Sequence, residues 1–470
     1  MSNTSTQPHI AIIGSGSAAF AAALKANDNG ASVTLIEGQA TIGGCCVNVG
    51  CVPSKMFIQA AQLAEQQRRN PWEALPDQEP TLGWQRLIEQ QQARVEDLRA
   101  AKYENILAQH SDIYLLQGYA RFVNKHTLHV TTPTGATQTV SADKILIATG
   151  STPTIPAISG LAATPYWTST EALFATQQPK HLLVIGASVV ALELAQAYRR
   201  LGSDVTVLAR RTLLAREDPL LGEALAQRFA AEGIQVLNHI SITHVAHAEE
   251  QFTLSTTAGT LTGDQLLVST GCHANTTALN LQAAGVTTDA AGKILVNAHM
   301  ETNVAGIYAA GDCADLPQHV YVAAAAGSRA GVNMTGGDVR LDLRVMPAVI
   351  FTDPQVATVG LSEVQAQQQG FNTDSRVLSL ADVPRALVNF DTDGYVKLVM
   401  DKATRRLLGA QILAHEGGEV VQSAALAIHN HMTVDDIAEQ LFPYLTMVEA
   451  LKLCAQTFNQ DIKSLSCCAG

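Results

Sequence analysis

Between Gly43 and Lys55 the chain reads GGCCVNVGCVPSK, with four residues between Cys46 and Cys51. Two thiols at that separation, on the N-terminal turn of a helix, can close a disulfide. The helix dipole there lowers a thiol pKa and favours the thiolate, the form that exchanges and reacts. A second pair, Cys467-Cys468, stands in Ser-Cys-Cys-Ala-Gly at the end of the chain. Terminal residues are usually loose, and vicinal cysteines form only strained disulfides. Thiolates select soft, thiophilic metals. The first pair therefore suits electron exchange, and the second suits capture of a thiophilic species. Cys272, Cys313 and Cys454 stand isolated and are expected to be small core residues; the Cys45 side chain is either an inert small residue or a spare thiol, and inert is expected. The 14 histidines show no zinc-like spacing.

The cysteine segment follows a βαβ unit over residues 9–37. A strand from His9 to Ile13 leads into Gly14-Ser15-Gly16-Ser17-Ala18-Ala19, an Ala-rich helix follows, and a second strand from Ser32 ends near Glu37. Glycines at Gly14 and Gly16 with Ala19 let a pyrophosphate approach the helix N-terminus, and an acid 23 residues after Gly14 can hold ribose hydroxyls. A helical stretch continues past Lys55 to about Arg69. A Pro-rich loop precedes a long polar helix, roughly from Gly83 to His110. A strand ending in Ala148-Thr149-Gly150, with Pro153 and Pro156 behind it, marks a domain edge. A second βαβ unit begins at His181, with Gly186, Ser188 and Ala191 at the turn. After its second strand no acid follows; the residues are Arg210 and Arg211, with Arg216 further on. A 2′-phosphate needs guanidinium partners and is repelled by an acid, so NADPH is expected over NADH. Ile307 to Asp312 reads as a strand ending in an acid suited to a polyhydroxy chain such as ribityl. From about Met346 the pattern changes to mixed strands and helices with no glycine fingerprint.

The fold class expected is α/β: two Rossmann-like nucleotide-binding domains and a separate C-terminal α+β domain. The boundaries are 1–152 with 275–345, 153–274, and 346–470. The net charge of −12 gives no basic footprint for nucleic acid or an anionic membrane. The first residues lack a basic n-region and an apolar h-region, so a cytoplasmic location is expected. In a reducing compartment the eight cysteines do not form a structural disulfide framework.

Two nucleotide folds, one interrupted by the other, with a cysteine pair in the first, resemble the pyridine nucleotide–disulfide oxidoreductase family. The YAAGD strand and FTDPQVATVG, from Phe351 to Gly360, carry the likeness further. The resemblance implies that Cys51 faces the isoalloxazine of FAD and that Cys46 exchanges with substrate. It implies that Lys55 sits near the flavin N5 and pairs with Glu193. FAD contacts are implied at Gly44, Cys45, Ala120, Thr149, Gly150, Asp312 and Val320. Disulfide-reducing members carry His-Pro-Thr-x-x-Glu near the C-terminus, where the His moves the proton that a leaving thiol needs. Here the stretch is Tyr444-Leu445-Thr446-Met447-Val448-Glu449. A phenol of pKa about 10 is a poor proton shuttle at neutral pH. Tyr444 in place of His, GCVPSK and the terminal Cys-Cys-Ala-Gly are together similar to the branch of the family that reduces Hg(II) to Hg(0).

That likeness implies Cys46, Cys51, Cys467 and Cys468 as metal ligands and a second tyrosine, Tyr103, near the metal. It also implies a homodimer in which the tail of one subunit serves the thiol pair of the other. Relatives in this branch often begin with a GMTC-x-x-C metal-binding domain; this chain is expected to take up Hg(II)–thiol complexes on Cys467 and Cys468 directly. Two other readings are a disulfide reductase or dihydrolipoyl dehydrogenase of the same family, disfavoured by Tyr444, and a non-catalytic soft-metal-binding protein, which needs no nucleotide folds.

Overall fold

The computed structural model describes residues 7–461. The chain forms two compact units. One gathers the chain up to Met56 with Gln85–Thr154 and Gly271–Asp342; the other gathers Phe57–Trp84, Ile155–Thr270 and the chain from Leu343.

The first unit is built on a five-stranded parallel sheet. Its strands lie in the order Ile307–Ala309, Lys144–Ile147, His9–Ile13, Ser32–Glu37 and Ile113–Gln117. Ile10, Ala11, Ile12, Val33, Leu35, Ile145 and Leu146 are wholly buried, as continuous apolar strands covered on both faces must be. Helices Ser17–Asp28 and Val320–Met334 pack closely and run parallel, Ala18 opposite Gly327 and Ala22 opposite Gly331. A Cβ on Gly327 would lie 2.0 Å from the Ala18 carbonyl oxygen, so only glycine permits this approach. A three-stranded antiparallel sheet, Tyr119–Asn124, Thr127–Thr131 and Thr137–Ser141, completes the unit.

The second unit carries a four-stranded parallel sheet in the order Gln235–Leu237, Asp204–Leu208, His181–Ile185, Gln265–Val268. It also carries a five-stranded antiparallel sheet in the order Ala348–Ile350, Gln355–Gly360, Leu407–Ala414, Tyr395–Asp401, Thr373–Ser379. Helices Gly417–His429 and Glu449–Gln456 cover that sheet and supply Val420, Val421, Ala424, Leu451 and Cys454 to its core. The Arg200 side chain is only 4% exposed and pairs with Glu232 at 2.5 Å and Asp353 at 2.9 Å. Burial opposes ionisation of Asp353, yet the His415 hydrogen bond and the Arg200 charge outweigh it and hold the carboxyl down at about 2. Breaking a buried pair by removing one partner costs about 3–5 kcal/mol, because the other charge is left uncompensated.

The long polar helix expected from Gly83 to His110 is present over residues 84–108 but is not α-helical throughout. It runs as an α-helix over Trp84–Arg99, widens into a π-turn over Ala100–Glu104, and ends with Asn105–Ala108. Among the described residues, no helix is long and apolar enough to cross a membrane.

Candidate functional site

The cysteine segment divides between two helices rather than lying on one. Cys45 and Cys46 stand in the five-residue helix Gly44–Asn48, and Cys51 opens the helix Cys51–Arg68. Pro53 is tolerated in the first turn of that second helix because its missing N–H has no intrahelical partner there. Gly43 caps the short helix with φ of 101°, in the left-handed region. A Cβ on Gly44 would lie 2.7 Å from the Gly16 Cα. Two glycines thus let the cysteine segment press directly onto the dinucleotide turn. The Gly43 N–H also donates to the Ser15 carbonyl and to the Ser15 hydroxyl.

Cys46 and Cys51 are not joined by a disulfide, and the Cys46 thiol hydrogen-bonds to Cys51. That hydrogen bond, followed by burial and the Cys51 charge, holds the Cys46 thiol protonated far above its ordinary range. Two sulfurs in hydrogen-bond contact can be bridged by a disulfide or share one soft metal ion. Tyr103, on the π-turn, meets Phe20 edge to face with ring centroids 4.6 Å apart. The Tyr103 ring lies 3.4 Å from where a Cβ on Gly43 would stand. Burial raises its phenol pKa, a Ser17 hydrogen bond opposes that, and Cys46 and Cys51 add to the rise. The fold therefore brings Cys46, Cys51 and Tyr103 together.

Of the three isolated cysteines expected in the core, Cys313 and Cys454 are buried and Cys272 is exposed; Cys45 is exposed as well. Cys45 follows Gly44 on the face of a very short helix, which has no interior to bury it. Neighbouring protein still desolvates its thiol and pushes it up to about 11, with Cys51, Asp312 and Cys272 adding repulsion. Cys272 opens the strand Cys272–Ala274, which pairs with Ser151–Pro153 in a two-stranded ribbon. Burial pushes the Cys454 thiol up to about 12.

The residues present fit a dinucleotide in each parallel sheet. In the first unit, the helix Ser17–Asp28 starts at Gly16 with no side-chain cap, and Val320–Met334 starts at His319 with none. Uncapped N-termini leave N–H donors and a positive dipole end for phosphate. Buried Glu37 accepts from the Ser15 hydroxyl at 2.5 Å and from the Gln39 N–H at 2.7 Å, which fixes a carboxylate at the strand end for ribose hydroxyls. Asp312 accepts from the Ser151 hydroxyl at 2.9 Å. The preceding Gly311 packs between Ala18 and Ala323, so this acid stands beside the N-terminal parts of both helices. Thr149 and Gly150 are tied to Asn275 by three hydrogen bonds. Ala120 is buried in the strand after Tyr119.

In the second unit, a Cβ on Gly186 would lie 2.1 Å from the Ser269 carbonyl, and Ser188 begins the helix Val189–Arg200 without a side-chain cap. Arg210, Arg211 and Arg216 are exposed. Glu193, buried, accepts from the Phe351 N–H at 2.9 Å. Tyr444 is 51% exposed, and burial raises the pKa of Glu449. Cys467 and Cys468 lie outside the described residues. Sequence reasoning passed over Ser15, Ser151 and Asn275. Only the serine inside the glycine turn had a local signal.

The chain belongs to the pyridine nucleotide-disulphide oxidoreductase family. That family's pattern matches residues 8–327, and its dimerisation domain matches residues 346–455. Within the family the chain is 68% identical to the mercuric reductase of Shewanella putrefaciens, over 98% of this chain and 83% of that protein. It is 43% identical to the mercuric reductase of Streptomyces lividans, over 98% of both. Among solved structures it is similar to the Cu(II) complex of the HOCl-induced flavoprotein disulfide reductase RclA from Escherichia coli. There the TM-score is 0.86 at 27% identity, over 96% of this chain and 99% of that one.

Proposed function

We propose that the chain is an NADPH-dependent flavoprotein that reduces thiol-bound Hg(II) to Hg(0). The observation that carries this reading is the thiol pair Cys46 and Cys51, in a segment pressed by two glycines onto a dinucleotide turn, with the Tyr103 ring packed over Gly43 at its start. The high identity to mercuric reductases supports the substrate.

Bound FAD supplies two-electron transfer from the NADPH hydride to the thiol centre. Residues 1–152 with 275–345 hold it through Gly14, Gly16, Ala19, Glu37, Gly44, Cys45, Ala120, Thr149, Gly150, Asp312 and Val320. Residues 153–274 hold NADPH through Gly186, Ser188, Arg210 and Arg216, whose guanidinium groups neutralise a 2′-phosphate. Lys55 and Glu193 set the charge around the flavin. Residues 346–470 dimerise, and Cys467 and Cys468 of the partner subunit bring the metal to the interface together with Tyr444.

The exchange balances without an external acid. As an Hg–S bond forms at Cys46, its S–H bond breaks and the proton leaves to solvent, while the Hg–S bond to the delivering thiolate breaks. Cys51 repeats the step. Each exchange replaces one Hg–S bond by another, so no free metal ion is released. Two electrons convert Hg(II) to Hg(0) and leave both sulfurs as thiolates. No leaving thiol needs immediate protonation by a shuttle, which fits Tyr444 where disulfide reductases hold a histidine. The test is NADPH oxidation with Hg(II) and excess thiol, against glutathione disulfide and lipoamide as alternative acceptors. Oxidation with Hg(II) alone is expected; its absence, or preference for a disulfide, overturns the reading.

A further inference from the structure

Tyr103 owes its placement to more than its own packing. Arg99 is the last residue of the helix Trp84–Arg99, and the five residues after it form the π-turn that carries Tyr103. The Arg99 guanidinium spans that turn. Its Nε donates to Glu104 Oε1 at 3.1 Å, and its Nη1 donates to Asn48 Oδ1 at 3.2 Å. Asn48 is the last residue of the short helix that bears Cys46. Its Nδ2 donates back to the Ile42 and Gly44 carbonyls, both at 2.9 Å, closing the whole cysteine turn on one side chain. At the other end of that helix, the Tyr103 ring packs over Gly43.

We propose that Arg99 and Asn48 form a clamp that sets Tyr103 and Cys46 in one geometry, and that both are positioning residues for Hg(II). This rests on the reading above that Tyr103 and Cys46 act on the metal.

Two physical arguments support the clamp. A helix of five residues is not stable alone, because nucleation fixes more dihedrals than its few hydrogen bonds repay. Gly44–Asn48 must therefore be held from outside, and Arg99 holds it at its last residue. A π-turn is likewise a strained insertion that persists only where its surroundings impose it, and such turns concentrate at functional sites. Glu104, at the end of the turn, is held to Arg99, at its start, by the same guanidinium that holds Asn48. Releasing Arg99 lets the turn relax toward α geometry, which rotates Tyr103 about the helix axis by some tens of degrees. Lysine, with a single ammonium, cannot reproduce the fork that reaches Glu104 and Asn48 together.

The experiment is a double-mutant cycle on the full-length FAD-loaded dimer, using Arg99→Met, Tyr103→Phe and the combination, with Arg99→Lys as a milder variant. Hg(II) is supplied as its 2-mercaptoethanol complex, and kcat, KM and Tm are measured. Misplacing a contacting group by about 1 Å costs up to about a hundredfold in rate, so Arg99→Met should lose roughly 10–100-fold in kcat with little change in KM. The double variant should be no slower than the worse single variant, and Arg99→Lys should fall between wild type and Arg99→Met. Losses that multiply, or a kcat for both Arg99 variants equal to wild type while Tyr103→Phe is impaired, overturn the clamp. A fall in Tm with kcat retained marks Arg99 as structural alone and overturns it as well. If Tyr103→Phe turns over Hg(II) normally, the assignment of Tyr103 falls first, and the clamp with it.

Discussion

Replacing Gly327 by alanine tests how the dinucleotide site of the first unit is assembled. The new Cβ would stand 2.0 Å from the Ala18 carbonyl oxygen and 2.7 Å from its carbon, whereas real contacts of this kind stay beyond 3.0 Å. The obstruction is backbone, so no side chain can swing aside. Helices Ser17–Asp28 and Val320–Met334 must part by roughly 1 Å, an overpacking that costs about 1–3 kcal/mol. For a unit of this size that lowers Tm by about 2–4 °C per kcal/mol. The same shift moves the uncapped start of Ser17–Asp28 relative to the strand ends that carry Glu37 and Asp312. Losing one charge-assisted hydrogen bond to phosphate, at about 1.5–3 kcal/mol, weakens FAD binding by roughly 10–100-fold. Gly331→Ala is the graded control, because its Cβ would be 2.7 Å from the Ala22 oxygen and needs only about a third of that movement. The assays are thermal unfolding of apoprotein and holoprotein, and FAD affinity by fluorescence titration. A Gly327→Ala protein with wild-type Tm and FAD affinity, or one milder than Gly331→Ala, would show that this close helix approach does not set the FAD site.

Three further outcomes follow from the same geometry. Cys46→Ser and Cys51→Ser should each lower Hg(II)-dependent NADPH oxidation on the order of 10³-fold, and combining them should add little because the two act as one unit; stopped-flow and steady-state rates decide this. Arg210→Ala with Arg216→Ala should lower kcat/KM for NADPH by roughly 10–100-fold and leave NADH nearly unchanged, since only the 2′-phosphate loses its partners. Asp353 has a folded pKa held at about 2, against 3.8 ordinarily, so its contribution is present above pH 4 and is lost as pH falls from about 4 toward 2. That contribution is about 2 kcal/mol, and Asp353→Asn should remove it and flatten the acid limb of a urea-stability profile.

Much of the site was legible along the chain because its signals are local. The turn from Gly14 to Ala19, the segment from Gly43 to Lys55 and the arginines after the strand Asp204–Leu208 are each contiguous. Each answers a local demand: close backbone approach, a thiol at a helix start, a charge at a strand end. The cysteines outside the motif were less legible. Burial of an isolated cysteine depends on which strand lies beside it, and Cys272 lies on a two-stranded ribbon with little to cover it. The π-turn that begins at Ala100 also escaped, since nothing in RVEDLRAAKYE distinguishes a π-turn from an α-helix.

The chemistry available was already written in residue types along the chain: two nucleotide folds, a dithiol beside the first, and Tyr444 where the family resemblance implies a histidine in disulfide reductases. These depend on residue type at short range. Tertiary structure alone decided the arrangement. Arg99 meets Asn48 across 51 positions, and Arg200 meets Asp353 across 153. Such contacts are set by how helices and sheets pack, because a side chain a few ångströms long acts only on what the fold has already brought within its reach.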